Sequence, residues 1–192
     1  MENSPITLLH WHTEPALIGG ILFVGWVYSL FMGPFRSRTC PDQQDLLAYS
    51  IWFGAGLVTF YLAVGSPLDP LGENFLFSAH MIQHNILMYI CPLFILLGLP
   101  KNLVDHFLCT RPLFEMALRF LTHPIIAGLL FTLVFSFCHV GVFYEAAIRY
   151  KVIHMAEHLS IFFVSLLMWW PIIFFFQTLA GIRYGPQMLY IL

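Results

Sequence analysis

FLFSAHMIQHNILMYICPLFILL, residues Phe75–Leu97, decides the fold. It runs without Asp, Glu, Lys or Arg over a length that can cross a membrane, and it carries His80 and His84 four positions apart. A spanning helix needs about 20 mostly apolar residues at ~1.5 Å rise each. Four more stretches meet that test: Pro15–Met32, Leu46–Val64, Pro124–Phe143 and Val152–Phe176. Glu157 is the only acid inside any of the five, and none contains Lys or Arg. Turn signals separate the early ones, at Gly33-Pro34, Gly65-Ser66-Pro67 with Asp69-Pro70, and Leu99-Pro100.

The segment between the third and fourth stretches reads differently. Lys101–Leu121 mixes Asp105, Arg111, Glu115 and Arg119 with Leu and Phe at helical spacing. That pattern predicts one or two amphipathic helices at the membrane surface. The expectation is an all-α polytopic transmembrane helical bundle, with about five spanning helices and surface helices between the third and fourth. Residues 1–192 form a single domain in this reading. The closing run, Arg183–Leu192, starts an apolar segment too short to cross, leaving open a natural end or a further helix.

Composition agrees. Apolar residues make up 59% of the chain and charged ones 9%, where a soluble domain carries about a quarter charged residues. Twenty phenylalanines suit a lipid-facing surface. No basic patch points to nucleic acid. Residues 1–15 hold two acids and no Lys or Arg, so they lack the charged start of a signal peptide, and the first apolar run is expected to stay as a helix. The four cysteines (Cys40, Cys91, Cys109, Cys138) show no pairing pattern and no disulfide framework.

Lys and Arg in the loops set the expected orientation. An amino terminus placed outside puts six positive residues inside and two, Arg149 and Lys151, outside; the reverse placement is two against six. The amino terminus is therefore expected outside. His80, His84, His139, His154 and His158 then lie roughly 3–14 Å below the outer ends of their helices. His10 and His12 sit on the same side in an amino-terminal tail expected to be mobile, where a capture role has little support. Only His106 and His123 fall inside.

The chemistry gathers in two matched segments, His80-Met81-Ile82-Gln83-His84 and His154-Met155-Ala156-Glu157-His158. Histidines at i and i+4 share a helical face, so both imidazoles of a pair can reach one metal ion. Both helices enter from the same side, so the pairs can meet at similar depth. Met88 and Cys91 continue the stripe below His84, while Cys138 and His139 stand on the fourth helix. Imidazole with nearby thioether and thiol suits copper, above all Cu(I); imidazole suits zinc equally, so zinc stays open. Glu157 is expected to orient a ligating imidazole or to join the ligands itself. The structural alternative is a hydrogen bond across helices, which is all a lone intramembrane histidine such as His139 need make. Taken singly, the methionines read as packing residues and Cys91 and Cys138 as small buried hydrophobes. Trp169, Trp170 and Pro171 read as an inner-interface anchor with a kink.

At these residues the sequence resembles a known family, the membrane-integral CtaG-type assembly factors of bacterial cytochrome c oxidases. The likeness is carried by Ser66-Pro67-Leu68-Asp69, Ser78–Pro100, Thr122-His123-Pro124, the His139 and Tyr144–Ala147 neighbourhood, and His154–Pro171, and it covers most of the chain from Trp11 onward. It implies a role in maturing the oxidase in the bacterial cytoplasmic (inner) membrane, by supplying copper to the oxidase catalytic subunit, with a periplasmic copper donor as a further partner. Members usually continue through further helices after a segment like Leu189-Tyr190. The competing readings are a histidine-box membrane metalloenzyme of di-iron type, a haem-binding membrane electron carrier using facing histidines such as His84 and His158, and a copper permease. The di-iron type generally carries more histidines and HxxHH boxes, which this sequence lacks.

Overall fold

The computed structural model describes residues 11–39, 45–74 and 76–178, all helix and connecting turns with no strand among them. The helices are α1 (Pro15–Met32), α2 (Arg36–Thr39), α3 (Leu46–Gly65), α4 (Leu68–Asn74), α5 (Phe77–Asn85), a π-helical turn at Ile86–Ile90, α6 (Cys91–Leu97), α7 (Lys101–Thr110), α8 (Pro112–Leu121), α9 (Pro124–Cys138), α10 (Gly141–Arg149) and α11 (Lys151–Thr178). The expectations for His10, Cys40 and the run Arg183–Leu192 lie outside the described residues.

Among the described residues, four helices are long and apolar enough to cross a membrane: α1, α3, the continuous α5–α6 rod and α11. The fourth expected span is corrected. Instead of running from Pro124 to Phe143, α9 stops at Cys138 after 15 residues, about 22 Å against a hydrocarbon core of about 30 Å. His139 ends it: its backbone N–H bonds back to Phe135 and Ser136, and its ring Nδ1 lies 2.7 Å from the Phe135 carbonyl oxygen. Val140 is extended, and Gly141 starts the short α10. Among the described residues, α8 and α9, bent by 69°, supply a fifth crossing if they count together. The amphipathic segment is two helices, parted at Arg111 because Pro112 disfavours helical geometry in the residue before it.

The packing inverts a soluble core. Leu22, Phe23, Trp26, Leu129, Leu133 and Phe163 point outward, whereas His80, Gln83, His84, His154, Glu157, His158 and Ser165 are buried. Exposed apolar and buried polar surfaces are what a hydrocarbon solvent selects. At the α3–α6 contact the backbones come close enough that a Cβ on Gly98 would fall 2.4 Å from the Phe53 backbone nitrogen. Small residues permit this kind of approach between membrane helices. The Tyr28 and Phe53 rings stack 3.9 Å apart beside that glycine, and the Tyr28 hydroxyl donates to the Gly98 carbonyl at 2.9 Å.

The π-turn has a specific cause. Pro92 has no N–H for the carbonyl four residues back, Met88, and its ring crowds that oxygen. The chain relaxes into the wider turn, with the Cys91 N–H bonding Ile86. The indole Nε1–H of Trp169 on α11 donates to the freed Met88 carbonyl at 2.9 Å. Trp169 thus links α11 to the α5–α6 rod at the π-turn.

Candidate metal centre

Helices α5 and α11 each carry a histidine pair one turn apart on a single face, with ring centroids 4.1 Å apart in both. The two faces meet. His84 and His158 approach to 5.2 Å, and His80 stands 6.1 Å from both His154 and His158. The end of α9 brings His139 to 5.3 Å from His84 and 6.3 Å from His80. All five histidines singled out from the sequence therefore converge.

Their nitrogens fall into two sets that can hold a metal ion: His80, His84 and His139, and His80, His154 and His158. In each set the three ligand atoms lie within 4.8 Å of one another. Several of these atoms lack any hydrogen-bond partner among the described residues. They are Nε2 of His80, both nitrogens of His84, Nε2 of His139, Nε2 of His158 and both carboxylate oxygens of Glu157. Interhelical glue would satisfy its polar atoms, and each orphan left buried costs about 1–3 kcal/mol. The donor set thus fits a metal ion better than a purely structural role.

Glu157 lies beside the imidazoles without bonding them: Oε1 is 4.0 Å from His84 Nε2 and Oε2 is 3.8 Å from His154 Nδ1, beyond hydrogen-bond range. It belongs to neither nitrogen set. Neither cysteine near the cluster joins a set: the buried Cys91 thiol contacts the Gly56 carbonyl at 3.3 Å, and Cys138 is also outside both.

Sequence reasoning overlooked Asp69, taking it for part of a turn. It lies on α4, a one-to-two-turn helix that packs on α5, and its buried carboxylate joins three partners. Gln83 Nε2 donates to Oδ1 at 2.5 Å, His154 Nε2 lies 3.3 Å from Oδ1, and His12 Nε2 lies 3.2 Å from Oδ2. The available signal was Gln83 itself, a polar residue amid the apolar run that had to find a buried partner. Tyr144 on α10 was likewise noticed only as part of the family resemblance, and its ring stands 5.7 Å from that of His80.

His12 also corrects the expectation of a mobile tail over residues 11–14. Its backbone N–H donates to the Gly65 carbonyl at 2.8 Å, the Trp11 ring stacks on Tyr61, and Glu14 pairs with Lys151 at the start of α11. These contacts tie the segment before α1 to the ends of α3 and α11, beside Asp69.

Fold and cluster together define a multi-pass helical membrane protein with histidines clustered on its apolar helices. Residues 26–192 match the model of the family described as cytochrome c oxidase caa3 assembly factor (Caa3_CtaG), and the chain belongs to that family. No curated protein and no solved structure matches it.

Proposed function

We propose that this assembly factor takes up copper at the histidine centre and delivers it to the catalytic subunit of a respiratory haem-copper oxidase. The observation that carries the reading is the convergence of five imidazoles, four of which (His80, His84, His139 and His158) keep a buried nitrogen with no hydrogen-bond partner among the described residues. Copper is cargo here: His80, His84, His139, His154 and His158 would hold it, and ligand exchange with a docked oxidase subunit would release it. Imidazole donors suit both Cu(I) and zinc, so the choice of copper rests on the family's oxidase role. The proposed setting is the bacterial cytoplasmic membrane with the amino terminus outside, so that the tail, Asp69 and the centre all face the compartment from which a periplasmic donor would bring the ion.

The di-iron alternative asks for a carboxylate among the ligands, and both nitrogen sets consist of imidazole alone. In cells lacking this protein, oxidase activity and the copper content of the purified oxidase should both fall, and the intact gene, but not one carrying His80→Ala, should restore them. Normal copper content in the deletion strain would overturn the reading.

A further inference from the structure

We propose that the centre holds one ion at a time, in two alternative seats that share His80; this rests on the copper reading above. One seat is His80, His84 and His139, and the other is His80, His154 and His158. The centre of the widest triangle allowed by a 4.8 Å separation lies about 2.8 Å from each nitrogen, against metal–imidazole bonds of about 2.0–2.1 Å. Either set closes around an ion with side-chain shifts below ~1 Å.

Sharing His80 makes the seats exclusive. A neutral imidazole keeps one lone pair, its other nitrogen carrying the proton. The buried nitrogen of His80 without a partner is Nε2, and that single lone pair serves a single ion. Two ions at once would require His80 to lose its remaining proton and bridge them. Passage between seats needs no such step. The bonds from copper to His154 and His158 break as those to His84 and His139 form, His80 stays bound, the charge on copper is unchanged and no proton moves.

The two seats have different surroundings. His154 touches Asp69, which also meets His12 of the tail segment. His84 is fully buried, and its partner His139 is only half-buried at the end of α9. The seat with His154 adjoins the tail, and the seat with His139 adjoins the α9–α10 junction. An ion can therefore be received at one side of the bundle and surrendered at another without ever losing His80.

The test is a Cu(I) titration of the full chain in detergent against a competing chelator. It compares wild type, His154→Ala/His158→Ala, His84→Ala/His139→Ala and His80→Ala, with circular dichroism and gel filtration as checks of fold. One ion per wild-type chain is expected. Exclusive seats add their association constants, so each pair variant should still bind one ion and at least one of them should stay within about twofold of the wild-type affinity. Both weakened by about tenfold or more would show one joint site and overturn the proposal. His80→Ala should bind none above background. X-ray absorption should report imidazole nitrogens in both pair variants. Two ions per wild-type chain would overturn the shared ligand. Complete loss in one pair variant with unchanged affinity in the other would show a single fixed seat. No copper in the wild type would instead sink the copper reading itself. If His80→Ala is not recovered folded, the stoichiometries of the wild type and the two pair variants decide.

Discussion

The Nε2 atom of His154 lies 3.3 Å from Oδ1 of Asp69, a buried contact between residues 85 apart in sequence. A carboxylate that accepts the N–H of an imidazole fixes its tautomer, here leaving the lone pair on Nδ1 and raising its basicity. Asp69→Asn should therefore weaken copper binding by about tenfold to a hundredfold while leaving the helical content of the protein unchanged. Cu(I) competition assays measure this directly, and unchanged affinity would make Asp69 a packing residue only.

That contact also marks where the sequence stopped being legible. Hydropathy located α1, α3, the α5–α6 rod and α11 almost to the residue, because length and lack of charge are local properties. The i, i+4 histidines were legible for the same reason, since helical periodicity alone puts them on one face. Asp69 was not: proline and glycine around it spell a turn, and only the packing of α4 on α5 turns its carboxylate inward. The end of α9 at His139 was hidden too, because Val140 and Phe143 prolong the apolar pattern past the point where the helix stops. The π-turn was implicit in Pro92, but its partner, Trp169, is 77 positions further along the chain.

The tail contact should depend on charge and pH. The Lys151 ammonium hydrogen-bonds Glu14 and holds its carboxyl below the ordinary value of 4.5. A lowered folded-state pKa means that the docked form is favoured above the ordinary carboxylate range and loses that advantage as pH falls through it. Hydrogen exchange at the His12 amide, corrected for its intrinsic pH dependence, should show protection at neutral pH that declines toward pH ~4. Glu14→Lys should remove the protection and Glu14→Lys/Lys151→Glu should restore it. Equal protection in all three proteins would show that the ion pair does not hold the tail.

Close backbone approach should make Gly98 intolerant of even one methyl group. The added Cβ meets the backbone of Phe53, which cannot rotate away, so Gly98→Ala should cost about 1–3 kcal/mol. A methyl group added at Gly54, on the same α3 helix as Phe53, would have nothing within 4 Å, and Gly54→Ala should be nearly neutral. Unfolding in mixed micelles compares the two, and equal stabilities would contradict the α3–α6 contact.

Trp169→Phe keeps an aromatic ring and removes the donor to the Met88 carbonyl. A hydrogen bond between membrane helices contributes about 0.6–1.7 kcal/mol, so the variant should unfold earlier by that amount. Pro92→Ala/Trp169→Phe should lose less than Trp169→Phe alone, because an N–H at position 92 can satisfy the same carbonyl. Identical losses would separate the indole from the π-turn.

The central claim is tested most directly by the copper content of purified protein under reducing conditions, wild type beside His80→Ala/His84→Ala. The account predicts one copper ion per wild-type chain and none in the variant. Equal copper in both, or none in either, would contradict it.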